Sequence, residues 1–200
     1  SGELSRVDLA TGKVTTIAFV EAGGIASPVI EPSRITALVV TRPGAGVTGS
    51  GLKRVNLATG EVTIIVESGI NRGAAMALEP SGKSVLISGS EGGLSRINLN
   101  TGGVTSVSGI GGLGLAIEPG GATALVATGI FGVGTFSCDI VRVDLVSGAS
   151  TVIAPISCVN RPTGVAIEPG GTTALVTTTG QFVGDSGQIF RVNLVSGTVT

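Results

Sequence analysis

Two Asn-Arg pairs have the side-chain chemistry to bind an anionic or sugar-like ligand. Asn71-Arg72 and Asn160-Arg161 occupy matching positions in two copies of a repeated sequence. Guanidinium groups bind carboxylate and phosphate oxygens through paired hydrogen bonds, and a concave site needs only a few such polar groups. We predict ligand contacts at Asn71, Arg72, Asn160 and Arg161. The alternative is that these residues cap loops and bind backbone carbonyls of a neighbouring repeat.

Acid–base and nucleophilic catalysis have little support in the rest of the chain. It contains no His and no Tyr, so a Ser or Thr nucleophile would need a Lys or a carboxylate as its base. We predict no catalytic residue, no metal site and no resident cofactor. Calcium is the one ion whose oxygen ligands could gather, although no calcium-loop spacing is present. The acidic residues concerned are Glu21, Glu67, Glu91, Asp139 and Asp185.

The two cysteines of the chain are predicted to form a disulfide. Cys138 and Cys158 are separated by 19 residues and fall in segments that we expect at one end of the fold. Closing a loop of this length stabilises a protein by about 3 kcal/mol in the loop-entropy account. A disulfide indicates an oxidising compartment, so we expect a secreted, cell-surface or periplasmic protein. Two free thiols in a cytosolic protein are the alternative.

Two short phrases recur along the chain and carry nine of its charges. Arg6-Val-Asp-Leu returns with minor changes at Arg54, Arg96, Arg142 and Arg191, at spacings of 48, 42, 46 and 49 residues. Glu-Pro occurs between these copies, at Glu31, Glu79, Glu118 and Glu168. A charge repeated in every unit is typical of a scaffold. We therefore predict that the arginines lie between sheets and hydrogen-bond a carbonyl or a carboxylate there.

The repeat itself predicts the elements that position these residues. A period of 40 to 50 residues with several short strands is typical of a β-propeller blade. The clearest copy contains four apolar runs separated by Gly and Pro turns, which we label strands a to d from the innermost outward. The predicted repeats are a half blade at 1–17 and full blades at 25–66, 73–107, 113–153 and 163–200.

The predicted fold is therefore all-β: a single propeller domain, or most of one, with four-stranded antiparallel blades. Four full repeats plus a c–d hairpin favour five closed blades, and six or seven remain open. A lone hairpin leaves an unpaired strand edge. We expect either that the native chain is longer, which we favour, or that another chain supplies the missing strands by self-assembly.

The connections divide the propeller into a constant and a variable end. The a–b turns all read Glu-Pro, and the c–d turns all contain Thr-Gly or Ser-Gly. The b–c connections differ in every repeat, and they are predicted at Arg42–Gly51, Ser88–Gly93, Thr128–Ser137 and Thr177–Gly187. In an up-and-down meander the a–b and c–d turns lie at one end of the sheet, and the b–c connections lie at the opposite end. Loops that differ between equivalent repeats are typical of a recognition surface.

Three of the five phenylalanines fall in the predicted b–c connections. They are Phe131, Phe136 and Phe182. An apolar side chain on an exposed loop indicates a contact with a partner, another subunit or a neighbouring loop. We therefore predict partner contacts at these residues.

Composition excludes other classes of function. Twelve basic and thirteen acidic residues nearly cancel, and no basic cluster or stacking aromatic surface is present, so we expect no nucleic-acid partner. No apolar run reaches the ~18 residues of a membrane helix, and we expect no membrane span.

One blade opening resembles a known group of propellers. Arg161-Pro-Thr-Gly-Val-Ala-Ile-Glu-Pro-Gly-Gly, followed by Ala174-Leu-Val, is similar to blade openings of the NHL, YVTN and regucalcin/gluconolactonase-like families. The resemblance implies the propeller fold and leaves the activity open, because these families include lactonases, lyases and binding modules. Glu replaces their usual Asp before Pro, and the catalytic His of their lyases has no counterpart here.

Two hypotheses of function follow. The preferred one is an extracellular, non-enzymatic binding or scaffold propeller, whose variable end binds a protein, a small molecule or a glycan, and which could assemble with copies of itself. The alternative is a metal-dependent lactonase- or hydrolase-like enzyme. That alternative needs three or four Asp, Glu or Asn side chains converging at the mouth of the channel.

Overall fold

The computed structural model describes residues 2–20, 24–42, 49–70, 73–89, 93–132, 135–156, 162–179 and 186–200. Within these ranges the chain forms antiparallel sheets arranged as a β-propeller and contains no helix. The predicted all-β propeller fold is confirmed, with four blades after an initial half-blade. Its strands are short because each blade turns back at Gly- and Pro-containing turns.

The chain begins with the half-blade, whose strands are β1 (Gly2–Val7) and β2 (Val14–Val20). The first blade contains β3 (Gly24–Ile30), β4 (Thr36–Arg42), β5 (Ser50–Asn56) and β6 (Val62–Ile70). The second contains β7 (Gly73–Leu78), β8 (Ser84–Gly89), β9 (Gly93–Asn98) and β10 (Val104–Ser108).

The third blade contains β11 (Gly114–Ile117), β12 (Thr123–Gly132), β13 (Thr135–Asp144) and β14 (Ser150–Ile156). The fourth contains β15 (Pro162–Ile167), β16 (Thr173–Thr178) and β17 (Gln188–Asn193). At the position of its predicted strand d, Val199 forms an antiparallel bridge with Val192, and Thr200 exchanges backbone hydrogen bonds with Arg191 at 2.8 and 2.9 Å.

The hydrophobic core lies between blades rather than within one of them. Each cluster of buried side chains combines residues from two neighbouring blades, as Leu52 of the first blade and Ile97 of the second illustrate. The innermost strands of successive blades also contact one another. Because the side chains are mainly Val, Ile, Leu and Ala, closely spaced sheets can interdigitate without large rings.

The two kinds of constant turn lie at the same end of the sheets. The amide of Leu57, at the start of a c–d turn, donates to the carbonyl of Ile35 in the a–b turn of the same blade at 2.8 Å. The next three blades repeat this bond between Leu99 and Lys83, Leu145 and Ala122, and Leu194 and Thr172. The strand ends that lead into the b–c and d–a connections are at the opposite end.

The glycine of each c–d turn has a left-handed backbone, and in the blades it approaches the preceding blade. Gly148 has φ of 74°, and a Cβ there would lie 2.2 Å from the carbonyl oxygen of Val107. Gly12, in the half-blade, has φ of 70°, but a Cβ there would meet nothing within 4 Å. Gly148 therefore permits both an unusual backbone conformation and close packing against the preceding blade. Gly12 permits only the unusual conformation.

One predicted loop is wrong. Residues Thr128–Ser137 were expected to form an irregular b–c connection, but β12 extends to Gly132 and β13 resumes at Thr135. Ile130 pairs with Ser137 and Phe131 with Phe136 in antiparallel register. The β-branched and aromatic residues on either side of Gly132 favour strand pairing, and this preference outweighs the variability of the segment between repeats.

These geometries predict different costs for two equivalent substitutions. Gly148→Ala should lower the free energy of unfolding by about 3 kcal/mol, because backbone strain adds to overlap with the Val107 carbonyl. Gly12→Ala should cost only about 1 kcal/mol from strain. Urea denaturation followed by circular dichroism measures both. Equal costs would contradict the packing of each c–d turn against the preceding blade.

Candidate functional site

The repeated charges form a bidentate ion pair inside each of the four blades. In the third blade, Arg142 Nε lies 2.6 Å from Glu118 Oε2, and its Nη2 lies 2.7 Å from Oε1. The same pairing joins Arg54 to Glu31, Arg96 to Glu79 and Arg191 to Glu168. The arginine of strand c therefore binds the a–b turn of its own blade through two parallel charge-assisted hydrogen bonds.

The arginines also reach the next blade along the chain. Arg142 Nη2 donates to the backbone carbonyl of Leu194 at 3.2 Å, and Arg96 donates in the same way to Leu145 at 3.0 Å. Arg6 of the half-blade donates to Leu57 at 3.2 Å. The sequence predicted that each repeated arginine binds a carbonyl or a carboxylate. In the second and third blades, one guanidinium binds both.

A hydroxyl completes the environment of each buried carboxylate. Thr36 donates to Glu31 Oε2 and Thr123 donates to Glu118 Oε2, each at 2.6 Å, and Ser84 donates to Glu79. The sequence-based prediction did not include these residues. A signal was present, because Thr or Ser stands five residues after the Glu of each Glu-Pro in the chain.

The surroundings of these carboxylates hold them in the charged form. Burial raises the pKa of Glu118, but the hydrogen bonds from Arg142 and Thr123 and the charge of Arg142 lower it further, so the pKa lies below its usual value. The same opposing effects lower the pKa of Glu31 and of Glu79. An ionised, fully bonded carboxylate stabilises the fold and is poorly suited to proton transfer.

A pocket at the constant end is lined in part by these paired glutamates. It has a volume of about 500 Å³ and is lined by the a–b turns of the second, third and fourth blades, including Pro119, Pro169, Glu118 and Glu168. Both glutamates are already paired with arginines of their own blades. The rest of the pocket is lined by proline rings, glycine backbone and the aliphatic residues Leu78, Ile117 and Ile167.

The predicted Asn-Arg ligand site lies outside the described residues. This applies to Asn71, Arg72, Asn160 and Arg161, and also to Phe182 and Cys158. Cys138 is buried in β13, where it pairs with Gly129 and with Ile156. Ile156 precedes Cys158 by two residues, and the disulfide stays a prediction.

The acidic residues considered for calcium are only partly described. Glu67 is exposed and Asp139 is half-buried, whereas Glu21, Glu91 and Asp185 fall in the gaps between the described ranges. Over the described ranges, no three His, Cys, Asp or Glu residues form a group that could hold a metal ion.

The described part of the chain contains no helix that is long and apolar enough to cross a membrane.

The third blade carries a hairpin arm that is not found in the described parts of the other blades. Its strands β12 and β13 have ten residues each, whereas the corresponding strands of the other blades have six or seven. The additional pairs run from Ile130–Ser137 to Gly132–Thr135 and extend the sheet by roughly 10 Å at the variable end. The backbone register places Phe131 opposite Phe136 near the tip of this arm.

Comparisons with known proteins identify the fold. No protein-family model and no curated protein matches the chain. A solved nidogen/laminin complex aligns over 99% of this chain and 73% of its own, with a TM-score of 0.76 and 12% identity. An oligogalacturonate lyase in complex with manganese aligns over 99% of this chain and 58% of its own, with a TM-score of 0.67 and 15% identity.

A third similar structure is a candidate 6-phosphogluconolactonase from Bacteroides fragilis NCTC 9343. It aligns over 99% of this chain and 62% of its own, with a TM-score of 0.60 and 15% identity. The chain therefore spans less than two thirds of the lyase and of this protein. At such identities the likeness shows the fold alone, and the predicted resemblance to NHL-, YVTN- and lactonase-like propellers is confirmed at that level.

The ion pairs predict a pH-dependent difference between two variants. Glu118→Gln should lower the free energy of unfolding by about 2 kcal/mol near pH 7, because a charged acceptor of two Arg142 hydrogen bonds is lost. Since the pKa of Glu118 is lowered in the folded state, its contribution is complete above the unfolded-state pKa. It disappears as the pH falls through the folded-state pKa. The gap between wild type and variant should therefore narrow as the pH falls below the usual pKa of a glutamate.

Glu168→Gln is the matched control, measured by urea denaturation at each pH. The side chains of Arg191 and Glu168 are 57% and 24% exposed, against 31% and 11% for Arg142 and Glu118. Solvent screens the more exposed pair, so its loss should cost less. A gap that is independent of pH, or a larger loss for Glu168→Gln, would refute the assigned role of the buried pairs.

Proposed function

We propose that this chain is a non-enzymatic binding and scaffold propeller of a secreted, cell-surface or periplasmic protein. Its variable end binds a protein, or a small-molecule or glycan ligand, and the hairpin arm of the third blade supplies the main protein contact. The arm is the observation that carries the proposal, because it extends the sheet beyond the described strands of the other blades and places Phe131 and Phe136 opposite each other in backbone register near its end.

The distribution of interactions over the two ends supports this division of roles. At the constant end, turn amides, turn carbonyls and repeated charges bond within the blade or to the next one. At the variable end, equivalent connections differ in length and composition between blades. Residues on loops held by a rigid scaffold can differ without loss of the fold, and this is the usual location of recognition.

The comparisons are compatible with a binding role. One of the similar structures is of nidogen in complex with laminin, which is an assembly of proteins. The lyase bound to manganese represents the alternative of a metal-dependent enzyme. We favour binding because the glutamates that line the pocket at the constant end are held by arginines, which leaves them poorly placed to coordinate a metal ion.

A peptide selection tests this function even though the natural ligand is unidentified. Ligands are selected on the wild-type chain from a phage-displayed library of random peptides. Their dissociation constants are then compared with those for a variant in which Asn-Gly replaces residues 130–137 and closes the hairpin at Gly129 and Cys138. We expect the shortened arm to weaken binding at least about tenfold.

Val146→Ser is the matched control at the opposite end. Val146 is 94% exposed in a constant c–d turn, so its replacement removes an exposed apolar side chain without touching the arm. Binding should stay within about twofold of wild type. Failure to enrich any peptide, or peptides that respond to Val146→Ser and not to the arm, would contradict the proposal. Lactone hydrolysis that requires added manganese or calcium would favour the enzyme instead.

A further inference from the structure

The arm of the third blade has a row of backbone groups along one edge of β12. β11 pairs with β12 only as far as the pair of Gly114 with Ala127. β12 then continues for five residues, Thr128–Gly132, which pair with β13 on the other side. Along these residues, the edge on the side of β11 has no partner strand among the described residues. Blades pack on both sides of the third one, so this edge belongs to an internal part of the chain.

The hydrogen bonds of the blade show which groups face this edge. The amide of Glu118 donates to the carbonyl of Thr123 at 2.9 Å, so the carbonyl of Thr123 points to the side of β11. In an antiparallel sheet, the N–H and C=O of one residue point to the same side, and successive residues alternate. The register of β12 has no shift against either neighbour, so every second residue after Thr123 points the same way. Gly129 and Phe131 therefore present their N–H and C=O groups to the open edge.

The d–a connection that precedes β11 leaves the arm at its base. The amide of Gly112 donates to Ser88 Oγ at 2.8 Å, and this hydroxyl donates to the carbonyl of Gly112 at 2.9 Å. Ser88 belongs to the second blade and is fully buried. A Cβ at Gly111 would lie 2.1 Å from the carbonyl oxygen of Gly89, also in the second blade. These contacts hold the connection against the second blade, so it does not follow β12 along the arm.

The described chain beside the open edge carries few side chains. In the connection at residues 109–112, three residues are glycine, and the side chain of Ile110 packs against the buried cluster between the second and third blades. The edge itself, Thr128–Gly132, has neither a charged residue nor a proline. Those are the residues with which natural proteins block the addition of a strand, and Pro155 is one in the outer strand β14 of the same blade. The inner edge of the arm is therefore suited to strand pairing.

We propose that the open edge of the arm binds an extended segment of a partner polypeptide, which adds to β12 as a further strand. The segment forms up to four hydrogen bonds with Gly129 and Phe131 and continues the row of bonds that β11 begins. An extended polypeptide is the occupant because its N–H and C=O groups recur at the same spacing as those of the edge. This inference rests on the proposed function, since it specifies how the arm contacts a protein.

Amide hydrogen exchange of the wild-type chain, followed by NMR, tests the edge itself. In the free chain, the amides of Gly129 and Phe131 should exchange at least about tenfold faster than that of Ile130, which points to β13. The tightest peptide selected on the wild-type chain is then added as the probe. It should slow exchange at Gly129 and Phe131 at least about tenfold and leave Ile130 within about twofold. Protection of Gly129 and Phe131 equal to that of Ile130 in the free chain would show that the chain itself fills the edge, and it would overturn the proposal.

Two sets of affinities test the mode of binding. The same peptide is synthesised with a single N-methyl group at each position in turn. Because an added strand uses alternate amides, methylation should weaken binding about tenfold at alternate residues and by less than about twofold at the residues between them. In the chain, Phe131→Pro removes one N–H from the edge, where a proline is compatible with a strand. It should bind the peptide at least about tenfold more weakly than the matched control Phe131→Val, which keeps that N–H.

Failure of strand addition and failure of the proposed function give different results. Peptides that need the arm, but show no alternation on N-methylation and no protection at Gly129 and Phe131, would overturn strand addition and leave the arm as a binding surface. Selection of no arm-dependent peptide would contradict both. Self-association of the wild-type chain in sedimentation, abolished by Phe131→Pro and kept by Phe131→Val, would make a second copy the occupant and overturn the partner segment. The exchange and N-methylation measurements use the wild-type chain, so they do not depend on the folding of a variant.

Discussion

In the second and third blades, an arginine on strand c connects three parts of the propeller. In the third blade, Arg142 holds the glutamate of its own a–b turn and the carbonyl that begins the c–d turn of the next blade. A half-buried guanidinium is costly without such partners, and both arginines find a carboxylate in their own blade and a carbonyl in the next one. This pairing accounts for the repetition of the charged phrases along the sequence.

The sequence predicted the parts of the fold that depend on local chemistry. Gly and Pro turns, alternation of apolar residues and the period of 40 to 50 residues were sufficient for the blades and the constant end. The chemical type of the arginines' partners was predicted, because only a few groups can compensate a buried charge. The use of both partners by one guanidinium was missed, since it joins residues about fifty positions apart. The arm of the third blade was missed because variability between repeats was interpreted as loop structure, whereas the residues around Phe131 and Phe136 favour strand pairing.

The two ends of the propeller have different physical roles. The variable end is free to change because the blades are held together elsewhere, and it carries the arm on which the binding hypothesis rests. The constant end is defined by what the repeats share, namely the Glu-Pro turns and the arginines that bind them. Substitutions at one end should therefore leave the other intact.

Residue-resolved hydrogen exchange in an Arg142→Gln variant is the most direct test of the arginine's role. If Arg142 couples neighbouring blades, protection should fall both at Gly121, in the a–b turn of its own blade, and at Leu194, in the fourth blade. Protection at Leu57, two blades away, should stay unchanged. Loss of protection at Gly121 with none at Leu194 would show that the arginine stabilises only its own blade, and it would contradict the account.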